Sequence, residues 1–152
     1  MLWEPLAALA VIFLGLYLFQ KSRSRRGTTN KSAKGVINIY YASQNGNSAS
    51  LSQTLCATLI DQGILSYVHD INKLESHLNN CPVENMVFVL STHYDGEAPD
   101  NAKDLARVLK DNKIKMSKCN VSVFGLGDSS YPKFNQFSKS IFELLKSFDF
   151  NM

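Results

Sequence analysis

The stretch from residue 36 to residue 48 constrains the fold most, because a strand pattern there runs directly into a helix pattern. It opens with Val-Ile-Asn-Ile-Tyr-Tyr-Ala, a run of β-branched and aromatic residues that predicts a strand. Six polar or flexible turn residues follow: Ser43, Gln44, Asn45, Gly46, Asn47 and Ser48. Leu51, Leu55 and Leu59 then recur at helical spacing, which predicts an amphipathic helix.

A helix that begins directly after a strand can bind an anion, because its first backbone amides lack partners and its dipole favours negative charge. The turn contains no lysine, which excludes the P-loop of nucleotide triphosphatases. Neutral hydroxyl and amide groups around backbone N–H groups suit a phosphate monoester. The alternative is an ordinary turn whose polar side chains cap the helix, and this stretch alone leaves both interpretations open.

Strand and helix patterns alternate along the rest of the chain. The predicted strands are Leu65–Ile71, Met86–Leu90 and Val121–Leu126, and the predicted helices span residues 100–111 and 134–148. Such alternation is typical of a parallel α/β sheet with right-handed crossovers, in which ligands bind beyond the carboxyl ends of the strands. Three loops leave such ends, at residues 43–48, 91–101 and 127–135.

The first twenty residues predict a transmembrane anchor. Leu6–Phe19 carries no charge, and Lys21, Arg23, Arg25 and Arg26 follow it. A cleaved signal peptide is the rival interpretation, but its basic region should precede the apolar run rather than follow it. The positive-inside rule therefore places the rest of the chain on the cytoplasmic side, and we expect the membrane to be that of the endoplasmic reticulum.

Residues 21–35 predict a basic linker that lies near anionic headgroups, since they include six basic and almost no apolar residues. The whole chain has 16 basic and 13 acidic residues, and residues 1–35 hold 6 and 1 of them, which leaves 10 and 12. The net charge of the domain from residue 36 to residue 152 is therefore close to −2. This charge gives no reason to expect nucleic-acid binding.

Three cysteines, Cys56, Cys81 and Cys119, are widely spaced and form no Cys-x-x-Cys pair. This pattern indicates reduced thiols in the cytosol rather than a disulfide framework or a zinc site. No metal site is predicted.

The second and third loops offer aromatic side chains beside the first loop. His93 and Tyr94 follow the most apolar strand, and Tyr131 lies in the third loop, after Gly127. A phosphate site flanked by two aromatic loops suits a flat heteroaromatic ring with a phosphate tail. Each feature also has a structural interpretation, since Tyr131 could cover the next helix, Asp128 or Ser129 could cap it, and His93 could be a bystander.

Three segments resemble the FMN domains of the flavodoxin-like class. They are Ser-Gln-Asn-Gly-Asn-Ser at 43–48, Ser-Thr-His-Tyr-Asp-Gly-Glu-Ala-Pro-Asp-Asn-Ala at 91–102, and Val-Phe-Gly-Leu-Gly-Asp-Ser-Ser-Tyr-Pro-Lys-Phe-Asn at 123–135. The nearest kinds are the diflavin reductases, such as cytochrome P450 reductase and the sulfite reductase flavoprotein, and the wybutosine-synthesis tRNA enzymes. The resemblance spans about residues 36–148 and implies a flavodoxin-like doubly wound parallel sheet that binds FMN.

The resemblance also implies which residues bind FMN, with the phosphate at residues 43–48 and the ring between residues 91–94 and Tyr131. The expected cofactor residues are Ser43, Gln44, Asn45, Gly46, Asn47, Ser48, Ser91, Thr92, His93, Tyr94, Leu126, Gly127, Asp128, Ser129, Ser130, Tyr131, Phe134 and Asn135. Electron shuttling would be the chemistry of the flavin itself, so no residue is expected to act as a catalytic acid or base.

The chain departs from the family pattern at three places. Asn45 stands where threonine is usual, and His93-Tyr94-Asp95-Gly96 stands where diflavin reductases show Tyr-Gly-Glu-Gly, so the stacking ring is either His93 or Tyr94. The family sheet has five strands in the order 2-1-3-4-5, whereas this chain ends after the helix that follows the fourth. We therefore expect a fragment of a longer protein that lacks the fifth strand and the last helix.

The expected function is a membrane-anchored electron-transfer domain that binds FMN. It would pass electrons from NADPH, through a separate FAD- and NADPH-binding reductase module, to a haem or iron–sulfur acceptor protein. One alternative is the N-terminal part of a tRNA 4-demethylwyosine synthase, although this segment is not expected to bind nucleic acid directly. A second alternative is a non-redox remnant that serves as an interaction module. The isolated chain is expected to be an oxidoreductase component rather than an enzyme that turns over alone.

Overall fold

Strands and helices alternate through residues 35–80, 83–116 and 119–148, the part of the chain that this computed structural model describes. The strands are β1 (Ile37–Ala42), β2 (Ser66–Asp70), β3 (Asn85–Ser91) and β4 (Asn120–Leu126). The helices are α1 (Asn47–Asp61), α2 (Leu74–Asn80), α3 (Leu105–Asp111), α4 (Lys113–Met116) and α5 (Gln136–Lys146), with 3-10 turns at Ile71–Lys73 and Asp100–Ala102. This alternation confirms the predicted α/β class.

The four strands form one parallel sheet in the order β2-β1-β3-β4. Tyr40 on β1 pairs with His69 on β2 and with Phe88 on β3, so β1 lies inside the sheet. After β1 the chain forms β2 at one edge of β1, and it then crosses to the opposite edge of β1 to form β3. This reversal opens a crevice at the carboxyl ends of β1 and β3, where doubly wound sheets bind their ligands.

The central strand β3 is buried on both faces, as its unbroken apolar sequence predicts. Phe88 and Leu90 are fully buried in the main core together with Leu105 and Leu109 of α3. Val89 points to the opposite face of the sheet and is also buried. Burying one such side chain contributes about 1.5–3 kcal/mol, so this strand fixes the positions of the loops at its carboxyl end.

Most predicted elements differ from the structure by one or two residues at their ends, and for two of them the structure shows the cause. The second strand was predicted to reach Ile71 but ends at Asp70, because the Asp70 carboxylate accepts a hydrogen bond from the Asn72 amide at 3.0 Å and begins a 3-10 turn. The helix predicted over residues 100–111 is divided into the 3-10 turn Asp100–Ala102 and α3. The side chain of Gln44 bonds Asp100, which holds this first turn against the loop that follows β1.

Two histidines pack against each other on the outer part of the sheet. The rings of His69 on β2 and His77 on α2 meet edge to face, with centroids 4.6 Å apart. The Tyr40 hydroxyl and His77 Nδ1 share a hydrogen bond of 2.9 Å, and His69 Nε2 lies 3.1 Å from Asn38 Oδ1. Burial, and then the neighbouring charge of His77, lower the pKa of His69 below its ordinary value.

The predicted anchor at 1–20 and almost all of the predicted linker at 21–35 lie outside the described residues, as does Cys81. The chain divides into two units, Met1–Ala33 and Lys34–Met152, and the elements given above belong to the second. No helix within residues 35–80, 83–116 and 119–148 is long and apolar enough to cross a membrane. Cys56 and Cys119 are free thiols.

Candidate functional site

The turn after β1 ends in a glycine that begins α1. Gly46 is the N-cap residue, adopts a left-handed conformation with φ +86°, and no side chain bonds the helix start. Left-handed backbone favours glycine, whereas space does not require it here, because nothing lies within 4 Å of an added Cβ. The alternative interpretation, in which polar side chains of this turn cap the helix, is therefore wrong.

The uncapped start of α1 leaves a row of backbone N–H groups unbonded. The amides from Asn45 to Ala49 find no acceptor among the described residues, and the first bond of the helix runs from the Ser50 amide to the Gly46 carbonyl at 2.9 Å. The dipole of a 15-residue helix adds positive potential at the same point. This end of α1 can therefore bind an anion such as a phosphate.

Five buried side-chain polar atoms in the described part of the chain have no hydrogen-bond partner. They are Ser43 Oγ, Ser48 Oγ, Ser52 Oγ, Thr92 Oγ1 and Asn135 Oδ1. Each such group costs about 1–3 kcal/mol unless a partner satisfies it, so a cluster of them requires an explanation. Four of the five belong to residues predicted to bind the cofactor. The positions of these unpaired polar groups therefore fit a bound FMN.

The fifth orphaned group is the hydroxyl of Ser52, which was not predicted as a site residue. Ser52 lies one helical turn after Ser48, and both are fully buried on the same side of α1. Ser52 therefore lies a turn farther from the open start of α1 than Ser48 does, and we do not assign it to the candidate site.

Two amide side chains, one from each segment, join the loop after β1 to the connection that follows β3. Gln44 Nε2 donates to Asp100 Oδ2 at 2.9 Å, and the Asp100 amide donates back to Gln44 Oε1 at 3.0 Å. Asn101 Oδ1 accepts from the Ser43 amide at 3.1 Å, while its Nδ2 donates to Asp70 Oδ2 at 3.1 Å. The side chain of Gln44, which was predicted to bind the cofactor, is therefore bonded to Asp100 and holds the loop in place. Hydrogen bonding by Gln44, and then by Lys103, lowers the pKa of Asp100.

The loop after β3 begins with a tight hairpin that presents two aromatic rings. Backbone bonds of 2.9 and 2.8 Å join His93 and Glu97 in both directions. Tyr94 at the bend has φ +38°, which is rare for a bulky residue, and 83% of it is exposed. Its ring lies 4.1 Å from that of His93. The two candidates for the stacking ring are therefore neighbours on one projecting turn.

The loop after β4 forms its own turn at Asp128. Its carboxylate accepts from the Ser130 amide at 2.8 Å and from the Ser130 hydroxyl at 2.7 Å, and these bonds lower the pKa of Asp128. The idea that Asp128 or Ser129 caps the following helix is wrong, because the residue before α5 is Asn135, with φ +55° and no side-chain cap. Tyr131, which is 64% exposed, does not bury its ring over that helix.

Hydrogen bonds to backbone carbonyls bring the three loops to one edge of the sheet. Ser91 Oγ donates to the Ala42 carbonyl at 2.9 Å, and the Thr92 amide donates to the Leu126 carbonyl at 3.0 Å. A Cβ added to Gly127 would lie 2.6 Å from Asn135 Oδ1, so the chain passes close to this orphaned oxygen. The predicted residues that remain are also exposed at this edge: Asn45, Ser129 and Phe134 lie in the loops, and Asn47 is the first residue of α1. Within the described residues, no group of side chains could hold a metal ion.

Comparison with known proteins gives one family. The Flavodoxin family model matches residues 39–152. The sulfite reductase [NADPH] flavoprotein alpha-component of Vibrio cholerae is 35% identical over 122 residues, which are 80% of this chain and 20% of that protein. The NADPH-dependent diflavin oxidoreductase 1 of Aspergillus fumigatus is 32% identical and aligns with 70% of this chain and 18% of its own length. The chain thus spans about a fifth of these relatives.

Solved structures share the fold at lower identity. Oxidised Flavodoxin 1 from Bacillus cereus superposes with a TM-score of 0.61 at 23% identity, over 74% of this chain and 76% of that one. A mutant flavodoxin from Fusobacterium nucleatum bound to flavin mononucleotide gives a TM-score of 0.62 at 18% identity, over 74% of this chain and 64% of that one. The family model and the relatives at 32–35% identity show that the chain belongs to the flavodoxin family, and its predicted cofactor, FMN, is confirmed by that membership.

Proposed function

We propose that this chain is the FMN-binding electron-transfer domain of an NADPH-dependent diflavin system. The observation that carries the proposal is the position of the orphaned polar groups. Four of the five, on Ser43, Ser48, Thr92 and Asn135, belong to residues of the three loops that carry the flavodoxin motifs. A bound FMN would give these groups partners and would supply the one-electron and two-electron chemistry.

The residues of the chain would bind and orient the cofactor. The free amides from Asn45 to Ala49, with the hydroxyls of Ser43 and Ser48, would hold the phosphate. The turn itself contains no cationic side chain, so the phosphate would keep most of its negative charge. That charge opposes the addition of further negative charge to the ring, which is one way in which a binding site lowers a reduction potential.

On the ring side, Thr92 Oγ1 and Asn135 Oδ1 would hydrogen-bond the polar edge of the flavin. The exposed ring of Tyr131, and either His93 or Tyr94, would cover its faces. Offset stacking of such rings contributes about 0.5–1.5 kcal/mol for each pair.

The electrons would come from NADPH through a reductase module with FAD and NADPH sites, and would pass to a haem or iron–sulfur protein. The likeness to a sulfite reductase flavoprotein and to a diflavin oxidoreductase favours this route over the tRNA-modifying alternative. The genes that encode this chain and its electron donor test the choice, because paired FAD and NADPH motifs there would support a diflavin reductase. A three-cysteine radical-SAM motif would instead support a tRNA 4-demethylwyosine synthase.

The proposal includes a membrane anchor at 1–20, a basic linker at 21–35 and an FMN domain at 36–152 on the cytoplasmic side of the endoplasmic reticulum. The uncharged run Leu6–Phe19 and the basic residues after it support this arrangement. The full chain should remain in the membrane pellet after alkaline carbonate washing, and deletion of residues 1–20 should release it. Release of the full chain by carbonate would contradict the anchor.

An FMN titration of the full chain tests the cofactor proposal. Flavin fluorescence should be quenched with a one-to-one endpoint, and Thr92→Val should weaken the binding. Thr58→Val is the matched control, because the same substitution removes a hydroxyl that lies far along α1 and donates to the Thr54 carbonyl at 2.9 Å. A folded protein that leaves FMN fluorescence unchanged would overturn the proposal and favour a non-redox interaction module.

A further inference from the structure

We propose that Asp95 and Lys133 form a clasp that positions the two aromatic loops around the flavin ring, an inference that rests on the proposed FMN function. Asp95 lies in the hairpin after β3, next to Tyr94. Lys133 lies in the loop after β4, two residues beyond Tyr131. Neither charged residue belongs to the cofactor set that the sequence predicts.

The clasp joins the tips of loops whose bases are already joined. Lys133 Nζ lies 2.6 Å from Asp95 Oδ2, a distance typical of a direct charge-assisted hydrogen bond. At the base, the Thr92 amide bonds the Leu126 carbonyl at 3.0 Å. The segment after Leu126 and the segment after Thr92 are thus held together at two points rather than one.

The aliphatic part of Lys133 also packs against the hairpin. A Cβ added to Gly96 would lie 3.0 Å from Lys133 Cδ and 3.0 Å from Gln136 Cβ. Gly96 has φ +89°, so the hairpin needs glycine here both for its backbone conformation and for this close approach. The contact therefore combines packing with charge, and it fixes the distance between the two loops.

This ion pair differs in its position from the other ion pairs that the described residues form. Lys103, Arg107 and Lys146 bond acidic residues within their own helical segments, and Arg107 also bonds Glu75 on α2. The Asp95–Lys133 pair instead bridges two loops at the carboxyl edge of the sheet, where the motifs place the flavin ring. An exposed pair of this kind is expected to change FMN affinity by about twofold to fivefold.

The test measures FMN affinity, the FMN release rate and the flavin midpoint potential in the full chain. Lys133→Met and Asp95→Asn should each speed FMN release by about twofold to fivefold, and the double variant should be no worse than either single one. Asp95→Lys combined with Lys133→Asp should restore slow release. About 1 M KCl should remove the advantage of the wild type, because salt screens exposed charges.

The midpoint potential distinguishes an electrostatic effect of Asp95 and Lys133 on the flavin from a general loss of loop structure. Lys133→Met leaves the carboxylate of Asp95 alone near the ring, so reduction becomes harder and the potential should fall. Asp95→Asn leaves the ammonium alone, so the potential should rise. Loss of structure would shift both variants in the same direction.

Lys146→Met is the control, because the pair that Lys146 forms with Glu143 lies within α5 and is exposed to a similar degree, 50% and 66% against 49% and 80%. Equal release rates for Lys133→Met, Lys146→Met and the wild type would overturn the clasp while leaving the FMN proposal intact. Failure of the charge-swapped variant to recover would also overturn it. A folded wild type that binds no FMN would overturn both proposals.

Discussion

Replacing Ser48 by alanine should stabilise the apoprotein and weaken FMN binding in the same variant. The Ser48 side chain is completely buried, and its hydroxyl has no hydrogen-bond partner. Removing an unsatisfied buried hydroxyl recovers about 1–3 kcal/mol. The free energy of unfolding of the apoprotein should therefore rise by about 1–3 kcal/mol.

The same hydroxyl is expected to donate to the phosphate when FMN is bound. A hydrogen bond to a charged group contributes about 1.5–3 kcal/mol, so Ser48→Ala should raise the dissociation constant for FMN by about tenfold to 150-fold. Ser52→Ala is the matched control, because this hydroxyl is equally buried and orphaned but lies a turn farther from the open end of α1. It should stabilise the apoprotein by a similar amount and leave FMN affinity unchanged.

Two assays on the full chain give the result. Urea unfolding of the apoprotein gives the change in stability, and flavin fluorescence quenching gives the dissociation constant. The reasoning is refuted if Ser48→Ala destabilises the apoprotein, because the hydroxyl would then already have a partner. It is also refuted if both serine variants bind FMN as the wild type does.

Three further predictions concern the sheet edge and the loops. Because burial lowers the pKa of His69, its neutral form is the one that the fold favours, so stability should be complete above its ordinary value of 6.5 and fall as pH drops below it. Thermal unfolding from about pH 7.5 to about pH 5 measures this loss, and His77→Gln should reduce the dependence. Asn101→Ala should cost about 1–3 kcal/mol in urea unfolding and weaken FMN binding, because it frees the Ser43 amide, whereas unchanged affinity would contradict the bracing role. Tyr131→Ala should change stability by less than about 0.5 kcal/mol, since the ring is exposed, yet weaken FMN binding measurably by fluorescence titration.

Local patterns predicted most of the fold, because strand and helix periodicity depend on neighbours in the sequence. The unbroken apolar run of β3 and the strand-turn-helix at residues 36–48 predicted a parallel α/β sheet. The order of its strands was implied by the resemblance to flavodoxin-like domains, and the structure confirms that order for the four strands β2-β1-β3-β4. The predicted ends of helices and strands were less accurate where a side chain that is distant in the sequence contacts the element. Gln44 holds Asp100 across 56 positions of sequence, and no local pattern signals that this contact divides the predicted helix.

In the candidate site, features that depend on neighbouring residues were likewise predictable, whereas contacts between residues distant in the sequence were not. The motif loops were identifiable because glycine, hydroxyl and aromatic residues follow strand ends. The helix start was interpreted less well, since serine and asparagine in the turn suggest a cap, whereas Gly46 occupies that position. The Asp95–Lys133 contact joins residues 38 positions apart, so only the folded chain reveals it.

The absorption spectrum of the full chain, saturated with FMN and then desalted, tests the central claim most directly. The account predicts that flavin bands remain with the protein at about one FMN per chain, because the orphaned groups of the three loops acquire partners only when FMN is bound. A folded protein that elutes without flavin absorption would contradict the account, since the buried hydroxyls and free amides would then serve some other purpose.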